Sequence, residues 1–402
     1  MTARPQTEPP CAKDTRPFFL AWSIYAVGIL LAAATRFQEL AARFDFRNFY
    51  AAGYRIRTDP ANLYNIARQQ QVQSALISNG DKALPFVHPS YEALLYAPFS
   101  LLPYHRAYLC FLALNLLLLV VLFLRLYPVF SARLPYWQPR PGLMFFPFLA
   151  IFVALWHGQN SILFLLLCGL VWVQLERGSN FSAGCLLALG LFKFHVAIPL
   201  AILCAVRKGW RFTAGFAGTA AAVVTLCFAL VGKHGMMSFA ALIHAATLVH
   251  DHSAAAQAEI AVFPHAMTNL VGLLSPLTQR MPAGVAFVLV AAVSAAIFIC
   301  SMYFVRKAED DSVAFAIGMA CAALVSYHMY ISDEAIVLLP IALLSRRLSR
   351  AALAALYVVP PLAVCWLGLS WNYLVAIPTL WMWLEASGLV MDRRVRHQVV
   401  TA

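Results

Sequence analysis

Apolar runs recur along almost the entire chain, from residue 18 to residue 391, and only short polar stretches interrupt them. An apolar helix of about 20 residues spans a bilayer, and it keeps its backbone groups hydrogen-bonded within the segment. Only 11% of the residues are charged, whereas soluble domains carry about 25%. The runs therefore predict an all-α integral membrane protein, a polytopic bundle of about 10–12 transmembrane helices, some of them short or broken.

The runs also predict how the chain is divided. Residues 18–391 form a single multi-span membrane domain between two cytoplasmic tails, 1–17 and 392–402. The first span, 18–35, is read as an uncleaved signal anchor or as a cleavable signal peptide, and in either case the next segment lies outside. Two extracytoplasmic loops, 36–92 and 232–282, are long enough to be functional rather than merely connecting.

Lysine and arginine gather at one set of span ends, which the positive-inside rule assigns to the cytoplasm. The net charge is +12, but the basic residues form no stripe and no arginine-rich tail. The lipid bilayer is therefore an expected partner, and nucleic acid is not.

Residues 182–206 can be read as one helix or as two short helices bent at Lys193-Phe194-His195. One helix would bring a lysine to the bilayer centre, at a cost of about 3 kcal/mol, and would place Arg207 and Lys208 outside. We expect the hairpin. Lys193 then needs a partner, which is either a carboxylate, with Asp333 a candidate, or an anionic ligand.

On this topology, polar residues collect on the extracytoplasmic side, where they would line a cavity between short or broken spans. A carboxylate among cations suits a general base that acts on a hydroxyl while the cations hold a leaving phosphate. The candidate carboxylates are Asp45 and Asp333, and Asp45 can also be an ordinary loop residue or helix cap. The candidates for donor or phosphate binding are Lys193, His88 and His328, and those for substrate binding are Tyr50, Tyr64, Gln159, Asn160 and Asp333.

Simpler roles exist for several of these residues. Gln159 and Asn160 can cap the helix that follows them. Tyr50 and Tyr64 can stack on sugars or belong to the aromatic belt of the membrane interface. The sequence has no HExxH or DxD motif, and Arg47 stands where a second acid would complete an acidic pair after Asp45, so neither a metal site nor a cofactor is predicted.

A series of short motifs resembles glycosyltransferase family 87, in order and in spacing, over roughly residues 20–345. These motifs are Asp45 to Tyr50, Asp59-Pro60, Leu63-Tyr64, His88-Pro89, Ala97-Pro98-Phe99, Leu102-Pro103, Gly158-Gln159-Asn160, Gly184 to Lys193, Arg207-Lys208-Gly209-Trp210-Arg211, and Ser326, His328 and Asp333. The resemblance implies a GT-C-like fold and a polyprenyl-phosphate sugar donor, typically of mannose. By position, Asp45 matches the family's general base. Lys193 matches a lysine that is usually followed by proline, and here Phe194 follows it.

The resemblance implies a membrane glycosyltransferase that moves a hexose, with mannose expected, to a hydroxyl of a glycolipid or glycan acceptor, with inversion. The expected location is a bacterial inner membrane, with the active site facing the periplasm or the outside. Two other readings remain at this point: a transporter or flippase for a lipid-linked or anionic sugar, and a structural membrane scaffold.

Overall fold

The structure is a computed structural model, and every element in the part of the chain that it describes is helical. The described residues are 23–24, 26–32, 34–35, 45–77, 84–133, 148–247, 263–345 and 347–390. Those between 23 and 35 are helical and correspond to the first predicted span. The two predicted cytoplasmic tails lie outside the described residues.

Fifteen α-helices follow in the described ranges, numbered here from Phe46. The first eight are α1 Phe46–Thr58, α2 Ile66–Leu76, α3 Ser90–Tyr96, α4 Tyr104–Arg133, α5 Leu149–His157, α6 Ser161–Glu176, α7 Asn180–Leu189 and α8 Phe194–Lys208. The other seven are α9 Trp210–Thr247, α10 Leu270–Thr278, α11 Ala283–Lys307, α12 Asp311–Val325, α13 Leu338–Leu344, α14 Arg350–Pro361 and α15 Ala376–Ala386.

Shorter helical turns join several of these helices. The 3₁₀ turns are Pro60–Asn62, Phe99–Leu101, Gly190–Lys193, Pro264–Ala266, Asp333–Val337 and Leu369–Val375, and a π-helical turn covers Leu362–Leu367.

Five stretches in the described ranges are long and apolar enough to cross a membrane, as expected for an all-α membrane protein. They are Tyr104–Leu126, Asn180–Lys208, Trp210–Ala245, Ala283–Lys307 and Arg350–Leu367. Two shorter apolar helices, Ser161–Glu176 and Asp311–Val325, are packed among them and contribute many of the buried side chains. The fold is therefore a polytopic helical bundle in which several helices are too short to span a bilayer alone.

The stretch 180–208 is long enough to be one span, but it folds as a hairpin. At the start of α7, a Cβ on Gly184 would touch the backbone of Phe212 and Phe216, near the start of α9. Lys208, the last residue of α8, precedes the first residue of α9 by only two positions. The beginning of α7 and the end of α8 therefore both lie next to the start of α9, at the same end of the bundle. The chain reverses at the 3₁₀ turn Gly190–Lys193, as the cost of a lipid-exposed lysine predicts.

The polar contacts divide the bundle into two ends. At the end we call the Arg207 end, Arg207 and Lys208 pair with Asp311, and Arg347 donates to Glu309 over 2.7 Å. At the opposite end, called the Asp45 end, Lys193 meets Asp333. The helices α6, α8 and α12 each run from one end to the other.

The two predicted long loops contain more helix than expected. In 36–92, α1 begins directly after Asp45, and α2 covers eleven further residues of the predicted loop. The side chains of Phe46 and Phe49 are fully buried, which ties α1 to the bundle. In 232–282, Gly232 (φ 66°) interrupts α9, and helix continues to Thr247. Residues 36–44, 78–83 and 248–262 lie outside the described residues.

Candidate active site

The centre of the Asp45 end is the turn from His157 to Ser161, which joins α5 to α6. Gly158 ends α5 with a left-handed backbone (φ 65°), and a Cβ there would come within 2.7 Å of Phe46 Cβ. Glycine adopts this conformation without steric cost. The turn can therefore approach the first residue of α1 closely, directly beside Asp45.

Three consecutive residues of this turn each donate a hydrogen bond to a different carboxylate. Gln159 Nε2 donates to Asp45 Oδ2 over 2.7 Å, and Asn160 Nδ2 donates to Glu92 Oε1 over 2.5 Å. Ser161 Oγ donates to Asp333 Oδ1 over 3.1 Å. One short segment therefore gathers three acids that are far apart in the sequence.

Asp45 is the most accessible of these acids. Its side chain is 30% exposed, and His157 Nδ1 lies 3.3 Å from its Oδ2. Burial alone would lower the pKa of His157, but the hydrogen bond and charge of Asp45 outweigh it and raise that pKa above its ordinary value. Asp45 is thus a carboxylate held in place by an amide and an imidazole, and it keeps access to solvent.

Asp333 is instead buried in an ion pair with Lys193. Lys193 Nζ lies 2.5 Å from Asp333 Oδ1, and the two side chains are 3% and 8% exposed. Burial would raise the pKa of Asp333, but the charge of Lys193 dominates and holds it below its ordinary value. Of the two partners considered for Lys193, the structure contains the carboxylate.

The third acid, Glu92, was missed by the sequence analysis. Its side chain is buried, and Tyr96 Oη donates to its Oε1 over 2.9 Å. Its Oε2 lies 2.9 Å from Nδ1 of His88. A signal is present in the sequence, because Glu92 is the acid in a short apolar stretch, 91–102, and a buried acid requires a partner.

A group of imidazoles and tyrosines surrounds the Lys193–Asp333 pair. His195 Nδ1 lies 2.8 Å from Ser326 Oγ, and the His195 and His328 rings are 6.0 Å apart. Burial lowers the pKa of His328 to about 4; Asp333 opposes this effect, while His88 and Lys193 add to it. His328 is therefore neutral at pH 7 and can take part in hydrogen bonds but not as a cation.

The two predicted sugar-stacking tyrosines are core residues. Tyr50 and Tyr64 are each 4% exposed. Tyr50 Oη donates to the carbonyl of Leu102 over 2.8 Å, and Tyr64 Oη donates to the carbonyl of His88 over 2.9 Å. Their burial argues against stacking on a substrate, and the Tyr64 bond gives it a structural role in holding the backbone at His88.

The remaining predicted residues lie at one end of the bundle. Asp45, His88, Gln159, Asn160, Lys193, His328 and Asp333 all lie at the Asp45 end. Asn160 does precede α6, but its side chain bonds Glu92 rather than capping the helix. The structure thus contains one accessible acid beside a compensated lysine and a set of imidazoles, an arrangement suited to removing a proton from a hydroxyl.

Comparison with known proteins gives one match. The model of glycosyltransferase family 87 matches residues 86–327, more than half of the chain. This range includes His88, Glu92, the 157–161 turn and Lys193, while Asp45 and Asp333 lie outside it. No curated protein and no solved structure matches the chain.

Proposed function

This chain belongs to glycosyltransferase family 87, and from that premise we propose that it transfers a hexose from a polyprenyl-phosphate sugar, with Asp45 as the general base. A family of membrane glycosyltransferases implies a sugar donor and an acceptor. The family membership therefore favours a transferase over a transporter, a flippase or a scaffold.

The observation that supports this proposal best is the setting of Asp45. His157 lies 3.3 Å from its Oδ2, and its exposed fraction of 30% leaves it open to a substrate. Asp333 is already engaged by Lys193, and Glu92 is 3% exposed. Of the three acids that the turn gathers, Asp45 is the one able both to reach an acceptor hydroxyl and to accept its proton.

The reaction that follows is a direct displacement. The Asp45 carboxylate accepts the proton of the acceptor hydroxyl as its oxygen forms a bond to the anomeric carbon of the sugar. The bond from that carbon to the phosphate oxygen breaks, and the electron pair leaves with the polyprenyl phosphate. Attack from the face opposite the leaving group inverts the anomeric configuration.

We propose mannose as the sugar and a glycolipid or glycan as the acceptor. The enzyme acts in a bacterial inner membrane, with the Asp45 end facing the periplasm or the outside. The basic residues at the Arg207 end support this orientation, because cytoplasmic span ends carry an excess of lysine and arginine. A donor with a membrane-soluble tail can enter such a site from the outer leaflet.

The test is sugar transfer by membranes that contain the Asp45→Asn variant. We expect transfer from radiolabelled polyprenyl-phosphate mannose into acceptor to fall by at least about 100-fold, because general-base catalysis contributes about 10²–10⁴ to rates. Glu309→Gln is the matched control, since Glu309 is an acid at the Arg207 end with a side chain that is 73% exposed. Equal expression and a wild-type rate for Asp45→Asn would exclude Asp45 as the base.

A further inference from the structure

The donor phosphate in the proposed reaction needs a hydrogen-bond donor at the Asp45 end, because negative charge builds up on it as the sugar leaves. Three residues were candidates for this role. Lys193 is compensated by Asp333 at 2.5 Å, and both side chains are buried. His328 is half-buried, and its lowered pKa of about 4 leaves it neutral. The third candidate is His88, whose side chain is more exposed than that of Lys193.

His88 packs against α1 one helical turn after Asp45, and it has one ring nitrogen available. The His88 ring centroid is 5.2 Å from that of Phe49, which follows Asp45 by one helical turn on α1. Its side chain is 20% exposed. Both assigned contacts of the ring use Nδ1, and within the described ranges Nε2 has no hydrogen-bond partner.

The ring is held in place from its other side. Nδ1 is aligned with the carbonyl oxygen of Phe192, 3.2 Å away, and this fixes the plane of the ring. Glu92 Oε2 lies 2.9 Å from the same nitrogen but is not aligned for a hydrogen bond. Phe192 immediately precedes Lys193 in the 3₁₀ turn, so the ring also contacts the tip of the hairpin.

Glu92 carries a buried oxygen that lacks a donor. Its Oε1 accepts from Tyr96 and Asn160, whereas its Oε2 is buried and has no aligned donor among the described residues. An unsatisfied buried carboxylate oxygen is costly, and a positive charge beside it removes most of that cost. The nitrogen that lies beside this oxygen is Nδ1 of His88, 2.9 Å away.

We propose that Glu92 is a positioning residue for His88: its carboxylate beside Nδ1, together with the carbonyl of Phe192, orients the ring so that Nε2 donates a hydrogen bond to the phosphate of the polyprenyl donor. This inference rests on the proposed function, since it names the group that receives the leaving phosphate. A ring nitrogen oriented by a buried carboxylate is a recurrent way to fix which face of a histidine meets its ligand. The Tyr64 hydroxyl, which bonds the His88 carbonyl, holds the backbone of the same residue.

Binding can be measured without turnover, using the purified full-length protein in nanodiscs. The probe is farnesyl phosphate, a short polyprenyl monophosphate, with farnesol as the reference that lacks the phosphate. The difference between the two affinities isolates the contribution of the phosphate group. We expect His88→Gln and Glu92→Gln each to weaken farnesyl phosphate binding about tenfold or more, as expected for a hydrogen bond to a charged group, and to leave farnesol binding unchanged.

Two further variants separate positioning from a purely structural role. In the double variant His88→Gln/Glu92→Gln, we expect no loss beyond that of the single variants, because both remove the same interaction. Tyr96→Phe removes the hydroxyl that donates to Glu92 Oε1 and leaves Oε2 beside His88. It should lower the melting temperature slightly and bind farnesyl phosphate as the wild type does. Glu92→Asp, which keeps the charge but retracts it from Nδ1, replaces Glu92→Gln if that variant does not fold.

Three results would overturn the inference, and they differ in what they imply for the proposed function. If Glu92→Gln binds farnesyl phosphate like the wild type, or if the two single losses multiply in the double variant, Glu92 does not act through His88, while the donor class stands. If the wild type binds farnesol and farnesyl phosphate equally, the phosphate site itself is absent. The Asp45→Asn transfer assay then decides the proposed function separately.

Discussion

At the scale of single residues, Asp45 raises the pKa of His157. Because the carboxylate raises the pKa of His157 against the effect of burial, its removal should lower that pKa. In Asp45→Asn we therefore expect His157 to titrate at a lower pH than in the wild type. The measurement is NMR of ¹³Cε1-labelled histidine across the pH range, with His157→Gln to assign the signal.

The raised pKa of His157 also determines how the stability of the protein changes with pH. A histidine with a raised pKa in the folded state stabilises the fold below its ordinary pKa of about 6.5, and the contribution is lost as the pH rises through the raised value. The melting temperature of the wild type should thus decrease relative to Asp45→Asn over that interval. A pKa of His157 that does not change in Asp45→Asn would contradict the contact between the two side chains.

The Lys193–Asp333 pair gives a second residue-scale prediction. Removing one member of a buried ion pair leaves an uncompensated charge and costs about 3–5 kcal/mol. We expect Lys193→Met to destabilise the protein by that amount, and Lys193→Met/Asp333→Asn to recover part of the loss. The free energy of unfolding in detergent is the readout, and Lys233→Met, at an exposed lysine, is the control. Equal stability of Lys193→Met and Lys233→Met would show that the pair is not formed.

At this scale, the sequence predicted several of the charged residues at the Asp45 end, but it predicted fewer of the residues that they contact. Lys193 and Asp333 were considered as a possible pair because a lysine between apolar segments requires compensation. Glu92 was missed because one acid in an amphipathic stretch has an ordinary explanation at an interface. Its burial depends on Asn160 and Tyr96, and the long-range approach of Asn160 cannot be read from spacing along the chain.

At the scale of elements, glycines control how closely α7 and α9 approach each other. A Cβ on Gly184 would meet the backbone of α9, and a Cβ on Gly215 would meet the backbone of Phe181 in α7. Gly184→Ala or Gly215→Ala should therefore force the helices apart and destabilise the protein by about 1–3 kcal/mol. The readout is the thermal midpoint in detergent.

Gly218 supplies the matched control for this prediction. It lies on α9, three residues beyond Gly215, and nothing would lie within 4 Å of an added Cβ. Because alanine favours helix over glycine by about 1 kcal/mol, Gly218→Ala should be neutral or slightly stabilising. Destabilisation by Gly218→Ala equal to that by Gly215→Ala would mean that helix packing is not the cause.

Among the elements, the hairpin at 180–208 could be predicted because a single energetic cost decided between the two topologies. The hairpin at Lys193 followed from the expense of a lysine in lipid, and the packing of Gly184 against α9 confirms it. The helix α1 was missed because its polar residues, including Arg47, Asn48 and Arg55, mask the buried side on which Phe46 and Phe49 lie. Its burial comes from packing on α4 and on the 157–161 turn, which a local pattern does not reveal.

At the scale of the whole molecule, the Asp45 end holds the proposed site, and the Arg207 end holds the ion pairs of Asp311 with Arg207 and Lys208. The match to the family begins at residue 86 and ends at residue 327, yet the proposed base is at residue 45. The 157–161 turn connects them, because Gln159 inside the matched range holds Asp45 outside it. The proposed site therefore depends on tertiary structure that spans almost the entire membrane domain.

The last prediction tests which residues share a side of the membrane. In a variant whose nine cysteines are replaced by alanine, single cysteines are introduced at Ala67, Ser179 and Trp210, each exposed in the structure. If 180–208 is a hairpin and the Asp45 end faces outward, an impermeant maleimide added to intact cells should label Ala67→Cys. Ser179→Cys and Trp210→Cys should react only after the cells are permeabilised.

Because a single 29-residue span would place Ser179 and Trp210 on opposite sides, the pair distinguishes the two topologies directly. Labelling of one but not the other in intact cells would exclude the hairpin, and Lys193 would then lie within a membrane-crossing helix. If Ser179→Cys and Trp210→Cys were both labelled in intact cells and Ala67→Cys were not, the orientation in the membrane would be the reverse of the proposed one. Asp45 would then face the cytoplasm, where a donor in the outer leaflet could not reach it.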